Sequence, residues 1–200
     1  YLQESQLTED AVLAGFVLTC LGDSGPFTYI PSREGNTFAD RSALSILKKQ
    51  GNYREVGWQN RGSDERQYCS PGHNLPVCSV TRTKYHDYPE YHTNFDNASL
   101  VTPDTLWESY AFYRELVDLI EGQDLPVSTV RGEPMLSKRG LYPTLGAQGQ
   151  STKTRNLVGV HSFCDGRHET SLIAERLSLP EDEVIDAVRL LRDLQLLEQR

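Results

Sequence analysis

Apolar residues in this chain fall into runs and stripes that alternate between strand-like and helix-like spacing. AVLAGFVLTCLGD, residues 11–23, follows Glu9 or Asp10 and is apolar for long enough to predict a fully buried strand closing at Gly22 and Asp23. The turn-rich FTYIPSREGNTFADR comes next, and Asp40 is placed to cap a helix over RSALSILKKQ, with Ala43, Leu44, Ile46 and Leu47 on one face. Tyr53 to Trp58 predicts a short strand, and LPVCSV, Leu75 to Val80, a core strand. The spacing of Leu106, Tyr110, Tyr113, Leu116, Val117 and Ile120 predicts one helix over 102–121, capped by Thr102-Pro103-Asp104 and ended by Gly122. Leu125 to Val130 reads as another short strand.

GEPMLSKRGLYPTLGAQGQSTKTR is rich in Gly, Pro and Ser and reads as a connection, made locally basic by Arg131, Lys138, Arg139, Lys153 and Arg155. It divides the chain into a first domain, 1–135, a linker, 136–155, and a small terminal domain, 156–200. In that last part HETSLIAERL and EDEVIDAVRLLRDLQLLE form two amphipathic segments about Ser178-Leu179-Pro180, the pattern of a helix-turn-helix or winged-helix core. The second segment opens on Glu181, Asp182, Glu183 and Asp186, the wrong sign for phosphates. Packing or interaction is expected of it rather than nucleic-acid binding.

Composition narrows the function classes. At 200 residues and 38% hydrophobic, the chain can bury a core for one domain plus a small second one. No apolar run reaches the ~18 residues that span a bilayer, and YLQESQLTED has neither the basic region nor the apolar centre of a signal peptide. A net charge of -8 argues against a general nucleic-acid binder and against an anionic membrane surface. Cys20, Cys69, Cys78 and Cys164 are widely spaced without a CxxC pair, which favours reduced thiols in a cytoplasmic protein. Starting at Tyr1 and running almost at once into an apolar strand, the sequence reads as a C-terminal piece of something longer.

Candidate chemistry concentrates between Gly62 and Asn97. That stretch holds His73, His86 and His92 among acids and tyrosines, with frequent Pro, Gly and Asn, and reads as strand and loop. Imidazole is a common zinc ligand whose second ring nitrogen is normally held by a carboxylate or carbonyl, a part that Asp96 could play for His92. Asp64 and Glu65 stand beside Arg66; in a strand only one of the two carboxylates can face a shared site. Asp23, at the carboxyl end of a predicted strand, lies where α/β sheets place ligands, but it also starts the turn Asp23-Ser24-Gly25-Pro26.

RGSDERQYCSPG, then LPV, then YPEYHT with Asp96-Asn97 resembles a family of bacterial aminopeptidase-like proteins, relatives of the zinc aminopeptidases and glutaminyl cyclases that carry a C-terminal winged-helix module. GFVLTCLGD, PSREGNT and GEPMLSKRGLYPTL fall in that family's order. The resemblance implies an α/β sandwich with a mixed sheet of zinc aminopeptidase type, its first half upstream of Tyr1, followed by a winged-helix-like domain. It implies zinc, one or two ions, with His92 and Asp23 as metal ligands. Tyr91 (oxyanion stabilisation) and Asp64 are the implied catalytic residues, with Asp96, Glu65 and Arg66 around them. The implied activity is metal-assisted hydrolysis of a peptide or small amide substrate. The family's upstream ligands and glutamate base have no match in this sequence, so the chain alone is expected to be inactive. Two other readings stay open: glutaminyl-cyclase-like acyl transfer, and a non-catalytic binding or regulatory protein working through its winged-helix module. Homo-oligomerisation is also left open.

Overall fold

The computed structural model describes all residues except 1, 5–6, 9–10, 142–151 and 200. The chain forms two compact units, Tyr1–Gly122 and Gln123–Arg200. The expected boundary at 135/136 is therefore displaced: Leu136 lies in the core of the second unit and Leu141 packs against it.

In the first unit a four-stranded mixed sheet runs in the order β1-β4-β2-β3. The strands are β1, Gly15–Val17; β2, Phe27–Ile30; β3, Tyr53–Glu55; and β4, Val77–Thr81. β1 is parallel to β4, β4 antiparallel to β2, and β2 parallel to β3. The long buried strand expected over 11–23 is thus reduced to three residues at a sheet edge. One reason is local: Cys20 adopts φ 49°, which breaks the extended path, and Leu18 is 61% exposed. The lead-in at Glu9 and Asp10 lies outside the described residues.

Helix α1, Phe38–Gln50, begins three residues earlier than the sequence pattern suggested. Its cap is Thr37 rather than Asp40; Thr37 accepts from the Asp40 N–H while the Asp40 side chain reaches back to the Thr37 N–H, a reciprocal capping box. Asp40 is fully buried and accepts from Tyr29 Oη (2.7 Å), Ser32 N (2.8 Å), Ser32 Oγ (2.5 Å), Thr37 N (2.8 Å) and Thr37 Oγ1 (2.8 Å). The predicted strand over Tyr53 to Trp58 ends at Glu55 and gives way to a 3-10 turn, Trp58–Asn60. A four-residue helix, α2, Glu65–Tyr68, interrupts what the sequence read as strand and loop.

Helix α3, Pro103–Glu121, has the expected start, with Thr102 as cap and Pro103 in the first turn. Its buried face differs from the expected one. Ser109, Phe112, Tyr113 and Leu116 are buried, whereas Leu106, Tyr110 and Val117 are exposed. Two neighbouring stripes of this helix both satisfy the three-four spacing, and Phe112 on Phe27 (ring centroids 4.8 Å) with Tyr113 on Phe16 selects one of them. The core beneath joins Ile46 and Leu47 of α1, Val80 of β4 and Leu116 of α3.

In the second unit β5, Pro126–Ser128, pairs antiparallel with β6, Leu197–Gln199, beside helices α4, Thr152–Ser162; α5, Thr170–Leu177; and α6, Glu181–Asp193. Ser178 at φ 53° makes the tight turn between α5 and α6. The last amphipathic segment does not stay helical: Gln195 at φ 57° ends it, and Leu197 enters the sheet. Leu157, Ile173, Val188 and Leu191 fill the core, and Arg192 clamps Asp124 through two hydrogen bonds of 2.8 and 2.5 Å. His161, buried here, shares a 2.9 Å hydrogen bond with Ser128, and burial holds its pKa below the usual imidazole value.

Candidate functional site

The loop that follows β4, residues 82–101, carries Tyr85, His86, Tyr88, Tyr91, His92 and Asp96. It is fastened at its root by Glu65. This side chain is fully buried and its Oε1 accepts from Gly62 N (2.8 Å), Ser63 N (2.9 Å) and Tyr85 Oη (2.8 Å), while Oε2 accepts from Ser79 Oγ (3.3 Å). Burial pushes the Glu65 carboxyl up, but the hydrogen bonds from Ser63, Gly62 and Tyr85 outweigh it and leave it below the usual value. Burial, then the Glu65 carboxylate, drive the Tyr85 phenol upward, so it stays protonated as the donor.

Tyr85 starts an aromatic chain along the loop. Its ring centroid is 5.9 Å from His86 and 6.5 Å from Tyr91, and Tyr91 stacks on His92 at 3.9 Å. Tyr88 donates to Asp96 Oδ2 (3.5 Å) and contacts Cys20 Sγ (3.7 Å). Cys20, His86 and His92 all adopt positive φ, at 49°, 68° and 59°. Left-handed backbone at residues other than glycine gathers at functional sites, because surrounding contacts must hold it in place.

Gly62 is required by the same packing. A Cβ there would stand 2.5 Å from Tyr85 Cε2, and the ring cannot retreat without leaving Glu65. Gly62→Ala is expected to lower stability by about 1–3 kcal/mol, read as a shift of the denaturant midpoint with unchanged slope.

The residues singled out from sequence fall in distinct places. His92 is exposed, and its imidazole has no hydrogen-bond partner among the described residues. Tyr91 is beside it. Asp96 meets Tyr88 rather than His92. Asp64 is exposed at the start of α2 with no side-chain cap bond, and Arg66, also exposed, donates to Ser63 O at 3.4 Å. Asp23 is buried with both oxygens engaged: Oδ1 accepts from Gly25 N (2.7 Å) and Thr83 Oγ1 (2.6 Å), Oδ2 from Thr83 N (3.1 Å). It clamps the end of β4 to its own turn. Among the described residues no three His, Cys, Asp or Glu side chains converge closely enough to hold a metal ion.

Sequence reasoning missed Tyr85, the link between Glu65 and the histidines, and Arg82. The buried Arg82 guanidinium lies over Phe27 (4.2 Å), donates to Ser109 Oγ (3.2 Å) and Gly25 O (3.1 Å), and pairs with Glu108. The only hint was two cations, Arg82 and Lys84, immediately after an apolar strand.

A mixed α/β unit with an anchored aromatic and histidine loop between β4 and α3, followed by a winged helix, resembles in fold a solved structure named as a candidate peptidase. The chain belongs to the family described as a domain of unknown function, DUF4910, which matches residues 1–123; residues 124–199 match a winged helix-turn-helix family. A Clostridium acetobutylicum protein, named as a candidate polysaccharide biosynthesis protein with an aminopeptidase-like domain, is 37% identical over 134 residues, covering 66% of this chain and 31% of that protein. A crystal structure named as a candidate peptidase, also from Clostridium acetobutylicum, matches with a TM-score of 0.57 at 29% identity, covering 95% of this chain and 42% of that one. The chain thus spans less than half the length of these relatives. No described helix is long and apolar enough to cross a membrane.

Proposed function

We propose that the first unit contributes part of the active site of a zinc-dependent aminopeptidase-like hydrolase acting on peptides or related amides. His92 would be a metal donor, with the remaining ligands supplied from outside the described residues. One observation carries this reading: an exposed imidazole without a hydrogen-bond partner among the described residues, on positive-φ backbone and stacked on Tyr91, in a chain related to a protein with an aminopeptidase-like domain. Zinc would supply Lewis-acid chemistry at a scissile carbonyl. The parts played by this chain are positional. Glu65 holds Tyr85, Tyr85 abuts Tyr91, and Tyr91 limits the swing of the His92 ring while offering a phenol as a hydrogen-bond donor. Of the Asp23 oxygens, Oδ1 is filled by Gly25 and Thr83 while Oδ2 accepts from Thr83 N and keeps one acceptor position, so a ligand role for Asp23 would fall to Oδ2 alone.

Zinc content and release of N-terminal residues from unblocked peptides, measured on the natural full-length protein, test the reading. His92→Ala is expected to lose metal and to slow turnover on the order of 100-fold or more, since even groups that only orient a ligand cost 10–100-fold. Because His92 is exposed, the metal-free variant should still fold, its melting temperature lowered only by loss of the Tyr91 stack and by alanine at a positive φ. A full-length protein with neither bound zinc nor hydrolysis would overturn the proposal.

A further inference from the structure

The winged-helix unit carries two features that packing among the described residues leaves unused. One is a groove of about 440 Å³ between α4 and α6. Half-buried Leu179, Ala187 and Leu190 contribute its apolar lining, and Lys153, Glu183 and Asp186 stand on its rim. The other is the turn after β5, where Met135 is 60% exposed between buried Pro134 and Leu136. Glu133, Lys138 and Arg139 surround that methionine and are also exposed.

We propose that this unit pairs with a second copy of itself, Met135 of each copy entering the groove of the other. The signs of charge select this occupant. Lys138 and Arg139 on the turn oppose Glu183 and Asp186 on the rim, and Glu133 opposes Lys153. Three ionic groups of the turn, Glu133, Lys138 and Arg139, thus find counterparts in the groove, which surfaces of one sign could not offer a copy of themselves. Glu183 accepts from Asn156 at 2.8 Å and Asp186 meets Arg189 at 3.3 Å; each keeps acceptor capacity for an incoming cation. Met135 brings an unbranched, adaptable apolar side chain suited to an irregular groove. Leu136 is fixed in the same core as Leu157 and Val160, so the turn is a rigid projection and the pairing takes place between copies. Reciprocal exchange makes the contact twice about a two-fold axis and closes the assembly at a dimer. The acidic start of α6 then has a protein role, in keeping with its poor match to phosphate. This inference does not depend on the hydrolase reading.

Sedimentation velocity of the whole chain over a concentration series tests it. The wild type should shift from monomer to dimer as concentration rises. Met135→Asp should weaken the dimer about tenfold or more, as should Glu183→Lys combined with Asp186→Lys. Adding Lys138→Glu and Arg139→Glu to the rim double variant should restore self-association, because the reversed turn then meets a reversed rim. All these positions are exposed, so unchanged circular dichroism is expected throughout. A wild type that stays monomeric up to its solubility limit, or a dimer indifferent to both Met135 and the rim charges, would overturn the inference.

Discussion

Glu65→Ala should destabilise the first unit by about 3–5 kcal/mol, seen as a large fall in its denaturant midpoint. The substitution strands Gly62 N, Ser63 N, Ser79 Oγ and Tyr85 Oη, all of which donate to this one buried carboxylate. Glu65→Gln should cost much less. Both backbone donors and Tyr85 meet the same oxygen, Oε1, so an amide can keep its carbonyl there and turn its nitrogen towards Ser79 Oγ, which can accept. The pair of variants also fixes the pH dependence. The folded carboxyl lies below its ordinary value of 4.5, so the unfolded chain takes up the proton first. The stabilisation is complete above that ordinary value and is lost as the pH falls through the lower, folded one. Wild type should therefore lose stability over that acid window, and Glu65→Gln should show a flatter profile there. Equal pH profiles would show that Glu65 is not the ionised anchor.

Asp40 is expected to behave in the opposite way towards its amide. Asp40→Ala should cost about 3–5 kcal/mol for the same reason as Glu65→Ala, since it leaves Tyr29, Ser32 and Thr37 without their acceptor. Asp40→Asn should be nearly as harmful. A backbone N–H faces each oxygen, Ser32 N at Oδ1 and Thr37 N at Oδ2, so either placement of the amide nitrogen sets a donor against a donor. Thermal melting of the two amide variants side by side measures the contrast. A tolerated Asp40→Asn alongside a damaging Glu65→Gln would contradict the hydrogen-bond assignment at both sites.

These two carboxylates show where sequence reasoning stopped. Asp40 was legible as a helix-start residue, because capping acts within one turn of chain; its exchange with Thr37 spans three residues. What made it a buried hub, the contact with Tyr29 eleven residues away, left no local trace. Asp64 and Glu65 look alike in sequence. Only the partners of Glu65, Ser79 fourteen residues away and Tyr85 twenty away, make one an anchor and leave the other in solvent. Asp23 had two readings, ligand or turn, and Thr83, sixty residues away at the start of the loop after β4, engages it. On α3 the cap and the proline were unambiguous, but the buried stripe depended on which aromatic neighbours the sheet presented.

By itself, then, the sequence determined where α3 begins, that the terminal part turns between two amphipathic segments, and that the histidine-rich stretch follows a core strand. These features are written in interactions between residues three or four apart, or in stretches short enough to act alone. Tertiary structure decided which acids are buried and which exposed, that the candidate loop hangs from Glu65 through Tyr85, and that the His92 imidazole is unpaired among the described residues. Burying a carboxylate is favourable only when donors from distant segments converge on it, and that convergence exists only once the sheet has formed.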